Sequence, residues 1–162
     1  MRLLCLSAVL LSLSLSSPVK ASKEIHEHKL LELDANTPVP EIALAVFRDE
    51  TDGINLHIRT NRYELNSPNA KPHSKYLSGH AHLFVNGKKV QRVYAQYVHL
   101  PKDLFKQGIN QIAVSLNSHQ HENYTKKGQN IVGSVFIDFS KPELVVHDFS
   151  SQPMTDHSHH HH

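Results

Sequence analysis

Gly79-His80-Ala81-His82-Leu83-Phe84-Val85-Asn86-Gly87-Lys88-Lys89-Val90 reads as a β-strand, a tight turn and the start of a returning strand. Ala81, Leu83 and Val85 alternate with His80, His82 and Phe84, and a period of two residues belongs to a strand with one face turned to a core. Asn86-Gly87 tolerates the positive φ angles that match a hairpin to strand twist, so Lys88 to Tyr97 is predicted as the antiparallel partner.

The same grammar extends to both sides. Ile42, Leu44 and Val46 alternate with Ala43, Ala45 and Phe47, Asp49 to Gly53 make a turn, and Ile54, Leu56 and Ile58 then oppose Asn55, His57 and Arg59. Residues 66–79, rich in Asn, Ser, Pro and Lys, read as a long loop. Pro101 to Asn110 reads as a connection with a short helical piece at Lys102 to Lys106, before Ile112, Val114 and Leu116 resume the alternation. Asn117 to Gln129 is read as a polar loop, and a last strand is placed at Asn130 to Phe139, ending near Pro142. About seven short strands separated by turns, with no long helical period and no internal repeat, predict an all-β chain folded as an antiparallel β-sandwich over residues 41–149.

The ends read differently. Arg2, the apolar run Leu3 to Leu15 and Val19-Lys20-Ala21 predict a signal peptide over residues 1–21, cleaved after Ala21. That run is too short and too rich in serine to cross a bilayer stably, and no other segment reads as a membrane span. Residues 22–40 are charged and then punctuated by Pro38 and Pro40, an N-terminal arm expected to add little core. Residues 150–162, ending His157-Ser158-His159-His160-His161-His162, read as a disordered histidine-rich tail. A periplasmic or secreted location follows from the leader.

Removing Arg2 and Lys20 from the 17 Lys and Arg leaves 15, against 15 Asp and Glu that all follow position 21. This zero balance argues against nucleic acid as a partner, since phosphate binding needs a surplus of cations. The abnormal count is 15 histidines in a chain with no tryptophan and with Cys5, inside the leader, as its single cysteine. Six of the histidines outside the tail fall at strands or strand ends, namely His57, His80, His82, His99, His119 and His121. His80 and His82, two apart on a strand, share a face, and His119 and His121 continue the parity of Ala113, Ser115 and Asn117. His73 reads as surface and His147 as incidental.

Imidazole nitrogen is the common ligand of Zn(II) and Cu(II), and three or four rings at about 2 Å complete a site. Without a mature cysteine no thiolate copper centre can form, and Met154 in the tail is the sole methionine beyond the leader, so a thioether-rich Cu(I) site is excluded too. What remains is an imidazole site for copper(II) first and zinc(II) second. A metal-free alternative stays open, because a histidine on the polar face of a strand is commonly just solvated.

Gly79 to Val90, with Arg92-Val93-Tyr94, Val98-His99-Leu100-Pro101, Gly53-Ile54-Asn55-Leu56-His57 and Ser115-Leu116-Asn117-Ser118-His119, resembles a group of small exported bacterial proteins with a cupredoxin-like or immunoglobulin-like sandwich. The likeness spans about residues 41 to 139. It implies a periplasmic domain and copper handling, with His57, His82, His99 and His119 where the pattern has histidine. Gly79-His80-Ala81-His82 is also similar to the His-x-His strand of copper–zinc superoxide dismutases, but this chain lacks their disulfide and glycine-rich metal loop. No serine has a nucleophile-elbow glycine pattern and no glycine loop cradles phosphate, so an enzyme is not expected. Two functions therefore compete, ahead of a superoxide dismutase-like copper enzyme: a non-catalytic protein that buffers copper or delivers it to another envelope protein, and a metal-free module that binds or assembles in the envelope.

Overall fold

The computed structural model describes residues 29–150. The expected leader, residues 22–28 of the arm and residues 151–162 of the tail lie outside the described residues. In chain order the strands are β1 (Leu30–Glu32), β2 (Glu41–Arg48), β3 (Ile54–Asn61), β4 (Tyr63–Leu65), β5 (Leu77–Val85) and β6 (Lys88–Val93). β7 (Tyr97–Leu100) is followed by a single 3-10 turn at Lys102–Leu104, then β8 (Ile109–Asn117), β9 (Asn123–Lys126), β10 (Gln129–Asn130), β11 (Val132–Asp138) and β12 (Val145–Ser150).

Nine strands form one sheet and β2, β3 and β7 form a second. β8 is the hub of the larger sheet, with β11 pairing one edge and β5 the other; β12 extends beyond β11, and β6 beyond β5. Alternation builds the core between the two sheets. Ile42, Leu44, Ile54, Leu56 and Ile58 of the small sheet are buried in one cluster with Ala81, Leu83, Val85, Ile112, Val114, Leu116, Val135 and Ile137 of the large one. Each fully buried Leu or Ile stabilises the fold by roughly 1.5–3 kcal/mol, and no disulfide assists among the described residues. His80 and His82 alternate with the core residues of β5, which places them on the outer face of the large sheet.

The all-β, sandwich-like expectation agrees with the structure, but seven antiparallel strands is too few and too uniform. The large sheet is mixed, since β1 runs parallel to β9 and β4 parallel to β5, while the small sheet is antiparallel throughout. The added strands are short, and a strand of two to four residues shows no usable alternation. β1 comes from the arm, which also supplies Leu33 to the core. β5 begins inside the expected 66–79 loop, β9 and the first residue of β10 lie inside the expected 117–129 loop, and β12 follows Pro142. β12 is exposed at Val145, Val146 and Phe149, so its apolar residues mark no buried face.

The hairpin forms as read, with Asn86 at φ 51° and Gly87 at φ 78°. Its register contains one irregularity. Val85 faces Lys88 and Phe84 faces Lys89, then a bulge intervenes, so that Leu83 faces Gln91 and His82 faces Arg92.

Candidate metal centre

β5 carries His80 and His82 between β6 and β8, with His80 opposite Asn117 and His82 opposite Ser115. Side chains on an outer face ordinarily meet water, yet His80 is 1% exposed and His82 is fully buried. Their Nε2 atoms lie 3.0 Å apart, within hydrogen-bonding distance, so in the metal-free protein the two rings can share a proton. The backbone beneath them is fixed by Tyr63, whose hydroxyl lies 2.9 Å from the His80 carbonyl and 2.8 Å from the Asn117 carbonyl and shares its one proton between the two strands. Burial pushes the Tyr63 phenol well above its ordinary range, which keeps it a donor. On β8, Ser115 Oγ donates to Asn117 Oδ1 at 3.0 Å and Asn117 Nδ2 donates to Asn123 Oδ1, so the polar floor beside the histidines is itself paired.

The third ring arrives from the turn between β8 and β9. Ser118 and Glu122 close that turn: the Ser118 N–H donates to the Glu122 carbonyl at 2.8 Å, and Ser118 Oγ donates to Glu122 Oε2 at 3.0 Å. His121 sits inside it at φ 67°, a left-handed conformation uncommon for any residue but glycine. The result is a ring centroid 4.8 Å from that of His80 and 6.1 Å from that of His82. One nitrogen from each of His80, His82 and His121 lies within 4.8 Å of the others, the one such group of metal-ligating side chains among the described residues.

His119 occupies the rim. Its ring stacks beside His80 at 6.2 Å, and its Nε2 lies 2.9 Å from Asn66 Oδ1. Asn66 Nδ2 turns to Glu64 Oε1 at 3.4 Å, which orients the amide so that its oxygen accepts from the imidazole. The proton of His119 therefore sits on Nε2, and the buried Nδ1 is left with a lone pair and no hydrogen-bond partner among the described residues.

His57 and His99 are not part of this cluster. They lie on β3 and β7, on the outer face of the small sheet, a face whose apolar-inward partners Leu56 and Leu100 separate it from the other site. His57 stacks on Tyr97 at 4.2 Å, and His99 Nδ1 lies 3.2 Å from Asn55 Oδ1 and 4.0 Å from Asp49 Oδ2. Alternation reports which face of a strand a residue takes and is silent on which sheet the strand joins, so of the six candidate histidines His57 and His99 fall on the other sheet. Sequence reading missed Tyr63, Asn66 and Asn117. None carries a local signal, because each acts through a contact made across the sheet.

Burial holds the His80 imidazole neutral, lowering its pKa to about 4, with the protonated forms of His121 and His119 and the cations Arg92 and Lys89 acting in the same direction. An unfolded imidazole titrates near about 6.5, so between these values the unfolded chain binds the extra proton. The stability this group contributes is thus fully present above about pH 6.5 and is lost as pH falls toward about 4. Urea unfolding of the metal-free protein at pH 7 and pH 4.5 checks this. The midpoint is expected to fall on acidification, and to fall less in His80→Asn.

No protein-family model matches this chain, and neither curated proteins nor solved structures provide a match.

Proposed function

We propose that this is an exported metal-binding protein that holds one divalent transition-metal ion, copper(II) first and zinc(II) second, through His80, His82 and His121. The observation that carries this reading is the approach of three imidazole nitrogens to within 4.8 Å on an otherwise paired polar floor. An ion replaces the proton shared by His80 and His82. At bonds of about 2.0–2.1 Å the 3.0 Å separation of their nitrogens subtends about 95°, nearer the right angle of tetragonal Cu(II) than the wider angle of tetrahedral Zn(II). The role we assign is buffering or delivery of the ion, with the expected leader directing the protein to the periplasm or outside the cell. The sandwich is read as cupredoxin-like or immunoglobulin-like. Another envelope protein is the intended receiver or supplier, and the small sheet offers it a face on which Phe47 and Tyr97 are 57% and 69% exposed. That same face favours the second reading, a metal-free assembly module.

Titration separates the two. Mature protein with its five tail histidines changed to alanine is expected to take up one equivalent of copper or zinc at neutral pH, measured by calorimetry and by metal analysis after gel filtration. Uptake well below one equivalent leaves the metal-free module.

A further inference from the structure

We infer that the ion at His80, His82 and His121 takes an external oxyanion of the carboxylate or bicarbonate class at its open coordination position, gripped by Arg92 with Lys89 beside it. The inference rests on the metal reading above and specifies what completes that site.

The first support is the bulge in the hairpin. A two-residue turn pairing Val85 with Lys88 and running on without interruption would bring Gln91 opposite His82 and Arg92 opposite the fully buried Ala81. The bulge after Phe84 shifts the register by one residue, setting Val93 against Ala81 in the core and Arg92 against His82 on the outer face. Residues directly opposite have Cβ atoms about 4.5–5.5 Å apart, well within the length of an arginine. Bulges re-aim side chains in this way. Lys89, opposite Phe84, joins the same face two pairs further along.

The second support is charge. Three neutral imidazoles leave a divalent ion with its full charge, and among the described residues no Asp or Glu belongs to the cluster. Glu122, next to His121 in the chain, turns its carboxylate to Ser118 Oγ. Arg92 and Lys89 are exposed, and among the described residues neither has an acidic side chain within ion-pair distance. Two unpaired cations beside a dication repel one another at a partly desolvated site, and an anion bound to the ion relieves all three at once.

The third support is coordination number. Three imidazoles leave at least one position open on either metal. A guanidinium presents a planar fork of N–H donors that fits an oxyanion, and Arg92 is reachable from solvent. A monodentate oxyanion on the ion keeps a second oxygen free for that fork.

The test uses the full mature chain with the tail histidines changed to alanine, loaded with one equivalent of Cu(II) and titrated with sodium azide, whose charge-transfer absorption reports the open position. Bicarbonate is then added as competitor. Arg92→Gln is expected to weaken azide binding about tenfold and to weaken bicarbonate competition by at least as much, while copper uptake stays at one equivalent. Lys89→Gln should give a smaller loss. Arg92→Lys, which keeps the charge and loses the fork, should retain azide binding better than bicarbonate competition. Equal azide and bicarbonate constants in the wild type and Arg92→Gln, with folding confirmed by circular dichroism, overturn the inference and leave the metal reading standing. Absence of copper uptake by the wild type overturns both.

Discussion

Gly79→Ala is expected to lower stability by more than about 3 kcal/mol and to abolish metal uptake along with it. A Cβ on Gly79 would come within 2.1 Å of the Asn117 carbonyl oxygen and 2.7 Å of the Tyr63 hydroxyl. Neither neighbour is the far end of a flexible chain. One is the backbone of β8, and the other is a buried ring held by two hydrogen bonds. Relief therefore requires prising β5 from β8 next to His80, with loss of the Tyr63 bonds. Gly133→Ala is the fitting comparison, because a Cβ there meets side-chain atoms of Ile42 and Leu44 at 3.2 and 3.3 Å, which can shift by a few tenths of an ångström. Urea denaturation of the two variants checks the contrast. A Gly79→Ala protein as stable as Gly133→Ala removes the account of how β5 is held.

His121→Asn should do the reverse, leaving the fold intact and lowering Cu(II) affinity by about two orders of magnitude or more, since one of three ligands is lost. Asparagine accepts a left-handed backbone more readily than other non-glycine residues, so the turn at φ 67° persists. Stability of the metal-free protein is expected to change by less than about 1 kcal/mol. His82→Ala loses a ligand too, but at a fully buried position, so it also leaves a cavity that costs stability. Competitive titration of both variants against a chelator of known strength, beside thermal unfolding without metal, distinguishes ligation from packing. Wild-type copper affinity in His121→Asn removes His121 from the site.

The strands with sustained alternation were legible in the chain. Ile54, Leu56 and Ile58, the Asn86-Gly87 hairpin, and Ile112, Val114 and Leu116 all take the faces their spacing dictates. The shared face of His80 and His82 was legible for the same reason. His121 was less so: strand parity suggested it, but a left-handed residue in a closed turn brings it there, and parity has no meaning beyond a strand's end. The place of Arg92 depended on an extra residue in the returning strand, which hairpin rules do not announce. His57 and His99 were misjudged because the sheet a strand joins is settled by long-range pairing.

Along β5, cohesion and ligation fall to different residues. Ala81, Leu83 and Val85 glue the layers together, while their neighbours His80 and His82 look outward onto the cluster. Evolution or an engineer can thus exchange the outward pair for another donor set, and so retune what the protein captures, while the adhesive side of the same ribbon goes on holding the two sheets closed.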